Sequence, residues 1–257
     1  MKRRIVSICI AVIMALQLLP VFADDTAGGL RSLIKMDFNT YDEPYHTSAR
    51  LIGPDYFTNC WGASSFNEVY ATMYAKTVDQ AHGVSLCMQA SRAGEGSVGE
   101  TSKFIKLGYQ GDFIVQFEFR SDAKAGSTWY FRLNTPDGAS TNIARWKSDT
   151  SLLVDHSGGY TNLPENPALG QWHTYMMRYD ADRNRMSVYY DGRHVASELQ
   201  PTADFSQGIT GITLMLMGEG NVMSEVEIDN LAIYTGSTDY PFESLPEMEV
   251  YEDIYAL

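Results

Sequence analysis

The chain is poor in basic residues and in cysteine, and only its first two dozen positions hold a sustained apolar run. Only 19 Lys and Arg face 32 Asp and Glu, a formal charge of −13 at pH 7. A surface of that sign repels phosphate backbones, which argues against nucleic acid as a partner. Three cysteines are too few for a Cys₄ zinc site with one to spare for the leader, and no His/Cys cluster has zinc spacing. Internal repeats are not evident, and neither is a linker that would divide the body. Helical periodicity is almost missing; only residues 62–76, with Phe66, Val69 and Tyr70 at helical spacing, predict a short helix.

What is present begins with an export signal. Lys2, Arg3 and Arg4 precede an apolar stretch from Ile5 to Leu19, and Val21-Phe22-Ala23 ends it with the small-residue pattern of a cleavage site. The stretch is short for a span of about 20 residues. Residues 1–23 therefore read as a signal peptide, and the remainder as a secreted, extracellular protein with no membrane contact after cleavage. Removal takes three of the 19 basic residues and no acidic one, so 16 bases face 32 acids, a charge of −16. Cys9 leaves with the signal. Cys60 and Cys87 are then an even pair in an exported chain and are expected to form a disulfide, two buried thiols being the alternative.

The body reads as strands. In residues 170–197, GQWHTYMMRYDADRNRMSVYYDGRHVAS, Tyr175, Met177 and Tyr179 fall on one face of an extended chain, and Thr174, Met176 and Arg178 on the other. Asp180 to Asn184 is turn chemistry. Met186, Val188 and Tyr190 restart the alternation, and Asp191-Gly192 provides a primed turn. Phe113, Val115, Phe117 and Phe119 alternate with Ile114, Gln116, Glu118 and Arg120. Trp129, Phe131 and Leu133 alternate with Tyr130, Arg132 and Asn134. Further strands are expected near 143–147, 151–155 and 209–217. Residues 237–257 are acidic and aromatic with Pro241 and Pro246, and read as a C-terminal tail.

The 170–197 hairpins, LIKMDFNTYDE at 33–43, HGVSLCMQA at 82–90 and SEVEIDNLAIYTG at 224–236 together resemble the concanavalin A-like superfamily, which includes laminin-G-like domains, lectins and polysaccharide-active enzymes. The resemblance spans roughly residues 33 to 236. It implies an all-β fold, a two-sheet antiparallel jelly-roll β-sandwich over residues 24–236. It also implies a structural Ca²⁺ where first and last strands meet, with Asp37, Asn39 and Asp229 as oxygen donors; ordinary turn and edge-strand polarity accounts for the same residues equally.

Ligands of such folds lie on the concave sheet or at a rim. With the aromatic positions turned to the core, the opposite faces carry Glu118, Arg120, Tyr130, Arg132, Asn134, Arg145 and Arg178. Arginines gathered in so acidic a chain suit carboxylates or sulfates, and Tyr130 suits a sugar face; solvated strand faces are the plainer reading. Trp61, Trp146, His156 and Tyr160 are candidate stacking platforms. The E-x-D-x-x-E strand of laminarinase-type members is missing. Glu225, Glu227 and Asp229 share a face but belong to the closing strand, and His173 beside Trp172 reads as structural. No catalytic residue is assigned. The sequence therefore predicts a non-catalytic, lectin-like module for an extracellular or cell-wall polysaccharide. A jelly-roll lyase or glycoside hydrolase, or an adhesion module binding protein, stands as the alternative.

Overall fold

The computed structural model describes residues 31–36, 38, 58–62, 70–91, 99–122, 127–147, 152–163, 167–218 and 223–235. The predicted signal peptide and C-terminal tail lie outside them. Fifteen strands run in chain order: β1 Arg31–Met36, β2 Thr58–Gly62, β3 Tyr70–Asp79, β4 Gly83–Ser91, β5 Gly99–Tyr109, β6 Phe113–Ser121, β7 Thr128–Asn134 and β8 Ser140–Lys147. They continue as β9 Leu152–His156, β10 Gly159–Asn162, β11 Trp172–Asp180, β12 Arg185–Tyr190, β13 Arg193–Leu199, β14 Ile209–Gly218 and β15 Ser224–Thr235. A 3₁₀ turn, Phe205–Gln207, precedes β14.

All pairings are antiparallel and form two sheets. Sheet I has the order β13-β12-β11-β6-β15-β4-β3, with β1 added along β15; sheet II has the order β10-β9-β8-β7-β14-β5-β2. Consecutive strands β6 and β7 thus belong to different sheets. The short turns follow from sequence chemistry. Asp191 and Gly192 both take positive φ (47° and 72°), the conformation a two-residue hairpin needs to match strand twist.

The core lies where the inner faces meet. Phe113, Val115, Phe117 and Phe119 of β6 point inward, as do Trp129, Phe131 and Leu133 of β7. The Phe117 ring stacks on Phe131 of the opposite sheet at 4.3 Å and on Tyr175 at 5.0 Å. Tyr175 spans the interior and donates its hydroxyl to the Ile143 carbonyl of sheet II. Burial pushes its ionisation above the ordinary tyrosine range. Tyr175, Met177 and Tyr179 are core residues as expected, but Trp172 stands on the outer face of sheet I.

Two expectations are corrected here. Residues 70–76 of the predicted helix are strand, because the Tyr-Ala-Thr-Met-Tyr-Ala-Lys run pairs residue by residue with β4; β-sheet partners outweigh weak helical spacing. The Cys60–Cys87 disulfide does not form, since Cys87 is a buried thiol. Leu86 and Met88 enter the core, so Cys87 between them faces the outside of sheet I, whereas Cys60 sits on β2 of sheet II.

Candidate functional site

The predicted ligand residues divide between two faces that look in opposite directions. Tyr130, Arg132 and Asn134 on β7 and Arg145 on β8 share the outer face of sheet II. Glu118 and Arg120 on β6 and Arg178 on β11 lie on the outer face of sheet I. Each residue does point away from the core; the sandwich separates the two groups.

On sheet II, strand alternation and one bulge set the geometry. Register between β7 and β8 shifts after Phe131, so Tyr130 opposes Arg145 and Arg132 opposes Asn142. A polar chain then runs across three strands. Arg132 Nε donates to Asn142 Oδ1 at 2.9 Å, and Asn142 Nδ2 donates to Asp155 Oδ2 at 2.6 Å. Arg145 Nη2 donates to Asp155 Oδ1 at 2.9 Å. The Arg132 guanidinium lies 5.6 Å from the Tyr130 ring centre, and Arg145 lies 5.7 Å from that of Tyr160. Tyr160 is 59% exposed, so its outer ring face is open to a ligand. Asn134 acts as a staple, donating to Thr213 Oγ1 at 2.9 Å and the Gly211 carbonyl at 3.3 Å. The outward β8 positions Ser140, Asn142 and Arg145 have the spacing of an E-x-D-x-x-E strand and carry no carboxylate.

The outer face of sheet I holds a denser network. In the β3–β4 turn, Asp79 Oδ1 accepts from the backbone N–H groups of Ala81 and His82 at 3.0 and 2.9 Å, the local bonding that makes Asp a turn residue. Trp172 Nε1 donates to its other oxygen at 2.9 Å. The His82 ring stacks on Trp172 at 4.0 Å, with Nδ1 2.9 Å from Asp79 and Nε2 3.2 Å from Glu118. His82, through its ring and then its backbone N–H, holds the Asp79 carboxyl well below the usual carboxylate range, and Trp172 adds to this. Glu118 also accepts from Asn230 Nδ2 at 2.7 Å.

Beside this lies Glu227, 2% exposed, bridging Arg120 and Lys76. Lys76 Nζ is 2.5 Å from Glu225 and 2.7 Å from Glu227. Cys87, Glu225 and Glu227 are close enough to share a cation, and the Lys76 ammonium is that cation here. Arg178 joins neither network; it donates to the Tyr189 hydroxyl at 3.2 Å.

Of the stacking candidates, Trp146 is core, His156 bonds Thr161 at 3.2 Å, and the Trp61 side chain lies outside the described residues. His173 is structural, held by Asp191 Oδ2 at 2.9 Å and stacked on Tyr190. Asp229, expected as a calcium donor, is buried and accepts from the Asn230 N–H at 2.8 Å. Asp37 and Asn39 lie outside the described residues. Sequence reading missed Asn142 and Asp155, whose outward parity in β8–β9 was available, and Lys76, Asp79 and His82, whose partners Glu227, Trp172 and Glu118 lie 151, 93 and 36 residues away in the chain.

The two antiparallel sheets form a jelly-roll β-sandwich. No family model matches the chain, and no curated protein matches it by sequence. Solved structures do. A GlcNAcα1-4Gal-releasing endo-β-galactosidase from Clostridium perfringens superposes with a TM-score of 0.55 at 11% identity, covering 83% of this chain and 64% of that one. A non-specific endo-β-1,3(4)-glucanase of family GH16 gives 0.53 at 13%, covering 82% and 92%. A sialidase gives 0.53 at 14%, covering 71% of this chain and 17% of that one. The chain thus spans less than two thirds of the galactosidase and of the sialidase. At such identities the likeness establishes the fold.

Proposed function

We propose that the protein is a secreted, non-catalytic glycan-binding module that takes an extracellular or cell-wall polysaccharide on the outer face of sheet II. The observation that carries this reading is the exposed Tyr160 ring beside the Arg145–Asp155–Asn142–Arg132 chain. A flat aromatic face next to fixed donors is what a sugar ring needs, one side apolar and the rim hydroxylic. The fold is one that glycan-cleaving enzymes use, as the galactosidase and glucanase neighbours illustrate. Glycoside hydrolysis requires two carboxyl groups flanking the bond. Asp155, the acid of the polar chain beside Tyr160, has both oxygens bonded, which favours binding over cleavage.

A glycan-array screen of residues 24–257 tests the reading, and absence of binding to every glycan would sink it. Tyr160→Ala is expected to weaken any hit about tenfold, the scale of one aromatic contact. Unchanged affinity in titration calorimetry would remove this face from consideration. One observation favours the lyase or hydrolase alternative: His82 sits between Asp79 and Glu118 on the outer face of sheet I. Release of reducing ends or unsaturated uronates from an array hit would support that reading instead.

Calcium belongs to the proposal. β1 ends at Met36 opposite Leu231, two residues from the buried Asp229 carboxylate, a hard oxygen donor of the kind calcium takes. Millimolar calcium is expected to raise Tm by about 5 °C, reversibly with chelator; no shift in calorimetric scans would remove the ion.

A further inference from the structure

We infer that the glycan taken by sheet II is acidic, and that Arg132 is the residue that reads its charge. This rests on the glycan-binding reading above and adds the chemical class of the ligand.

The argument starts from charge pairing in a chain of net charge −13. Some of its arginines find an acid, while Arg178 and Arg185 bond neutral oxygens. Arg120 has Glu227, Arg145 has Asp155 and Arg183 has Glu198. Arg132 has no carboxylate partner among the described residues; its one hydrogen bond goes from Nε to the neutral amide of Asn142. The nearest acid, Asp155, already accepts from Asn142 and pairs with Arg145. Of the two guanidiniums, diagonal to one another across the β7–β8 register, only Arg145 bonds that carboxylate. Among the described side chains of this patch, one guanidinium charge is left without a bonded acid.

The orientation of Arg132 favours an incoming anion. Asn142 occupies Nε, and the Tyr130 ring lies against the plane at 5.6 Å. Those contacts fix a side chain that would otherwise lose much rotamer freedom on binding. Nη1 and Nη2 carry no hydrogen bond to a described residue. They are the two donors of a fork that matches paired anionic oxygens, the carboxylate of a uronate or the sulfate ester of a sugar. Tyr160 beyond Arg145 can then stack on the next sugar of the same chain. The acidic surface elsewhere repels polyanions, so attraction is confined to this patch.

The test compares charged polysaccharides with their neutralised forms by titration calorimetry at low and moderate salt. Polygalacturonate is set against its methyl ester, and a sulfated galactan against the desulfated polymer; the two pairs separate carboxylate from sulfate. Wild-type protein is expected to bind at least one charged member about tenfold or more tightly than its neutralised form, the scale of a charge-assisted fork. That preference should shrink as salt rises. Arg132→Gln should erase the preference, so that charged and neutralised forms bind alike. Arg132→Lys should restore only part, because a point charge lacks the fork. Thermal unfolding of each variant separates loss of the fork from loss of fold, and the Arg132→Lys comparison carries the test if Arg132→Gln unfolds. Equal affinity for charged and neutral forms overturns the inference and leaves the glycan reading intact. A preserved preference in folded Arg132→Gln overturns the role of Arg132. Binding to none of the four polymers, with none on the array, overturns both readings.

Discussion

Phe117→Ala is expected to destabilise the protein by about 3–5 kcal/mol, the range for truncating a buried aromatic. Phe117 is fully buried at the centre of β6 and joins the two sheets through Phe131, with Tyr175, Phe119 and Trp129 also around it. Removing the ring takes away transfer free energy and leaves a cavity that these neighbours, fixed in both sheets, cannot close. For a chain of this size, each kcal/mol moves Tm by about 2–4 °C, so a drop of about 6–20 °C is expected. Phe117→Leu should recover about half or more of the loss, because it refills most of the volume. Chemical denaturation with urea measures both variants. A loss below about 1 kcal/mol for the alanine variant would mean that the interior is not packed around this ring.

The β6 alternation made Phe117 legible in the sequence, and with it most of the core. Period-two spacing in β6, β7, β11 and β12 follows from strand geometry alone, and Asp191-Gly192 marks its turn through the positive φ that glycine tolerates. Which outer face a residue joins was not legible. Glu118 and Arg132 alternate identically against the core, yet the chain crosses from sheet I to sheet II between them, and no local pattern records that crossing. Trp172 shows the same limit. Its even position shares the outward parity of Thr174 and Arg178, but its partner Asp79 lies 93 residues earlier in the chain. Cys87 was read through its compartment, and its true environment depends on β4 lying beside β15. Arg132 and Arg145 could be selected by residue type and outward parity, but the absence of an acid beside Arg132 depends on the pairing of β7 with β8 and β8 with β9.

Glu227→Gln is expected to cost about 2–3 kcal/mol, from a group the sequence placed only on a shared face with Glu225. The carboxylate is 2% exposed and bridges Lys76 and Arg120, which are each about a quarter exposed. Breaking a fully buried pair costs about 3–5 kcal/mol, and the partial exposure of both cations lowers that figure. Glutamine keeps the shape but turns an N–H₂ donor toward one of the two cations. Lys76→Met added to Glu227→Gln should recover part of the loss by removing a stranded ammonium. The pH dependence has two arms. Burial pulls Lys76 down, but its bonds to Glu225 and Glu227 outweigh this and hold it above the ordinary lysine range. A raised basic group stabilises fully below its unfolded value of about 10.5, and that stabilisation fades as pH rises through the folded value. Burial pushes Glu225 up, yet Lys76 and Gln89 together hold it below its unfolded value of about 4.5, so its contribution is present above that pH and fades as pH falls. Urea midpoints of wild type should therefore decline at both extremes. In Glu227→Gln the alkaline decline should be shallower, since Lys76 has lost one of its two acids. Equal alkaline slopes in the two proteins would show that Glu227 does not hold the Lys76 proton.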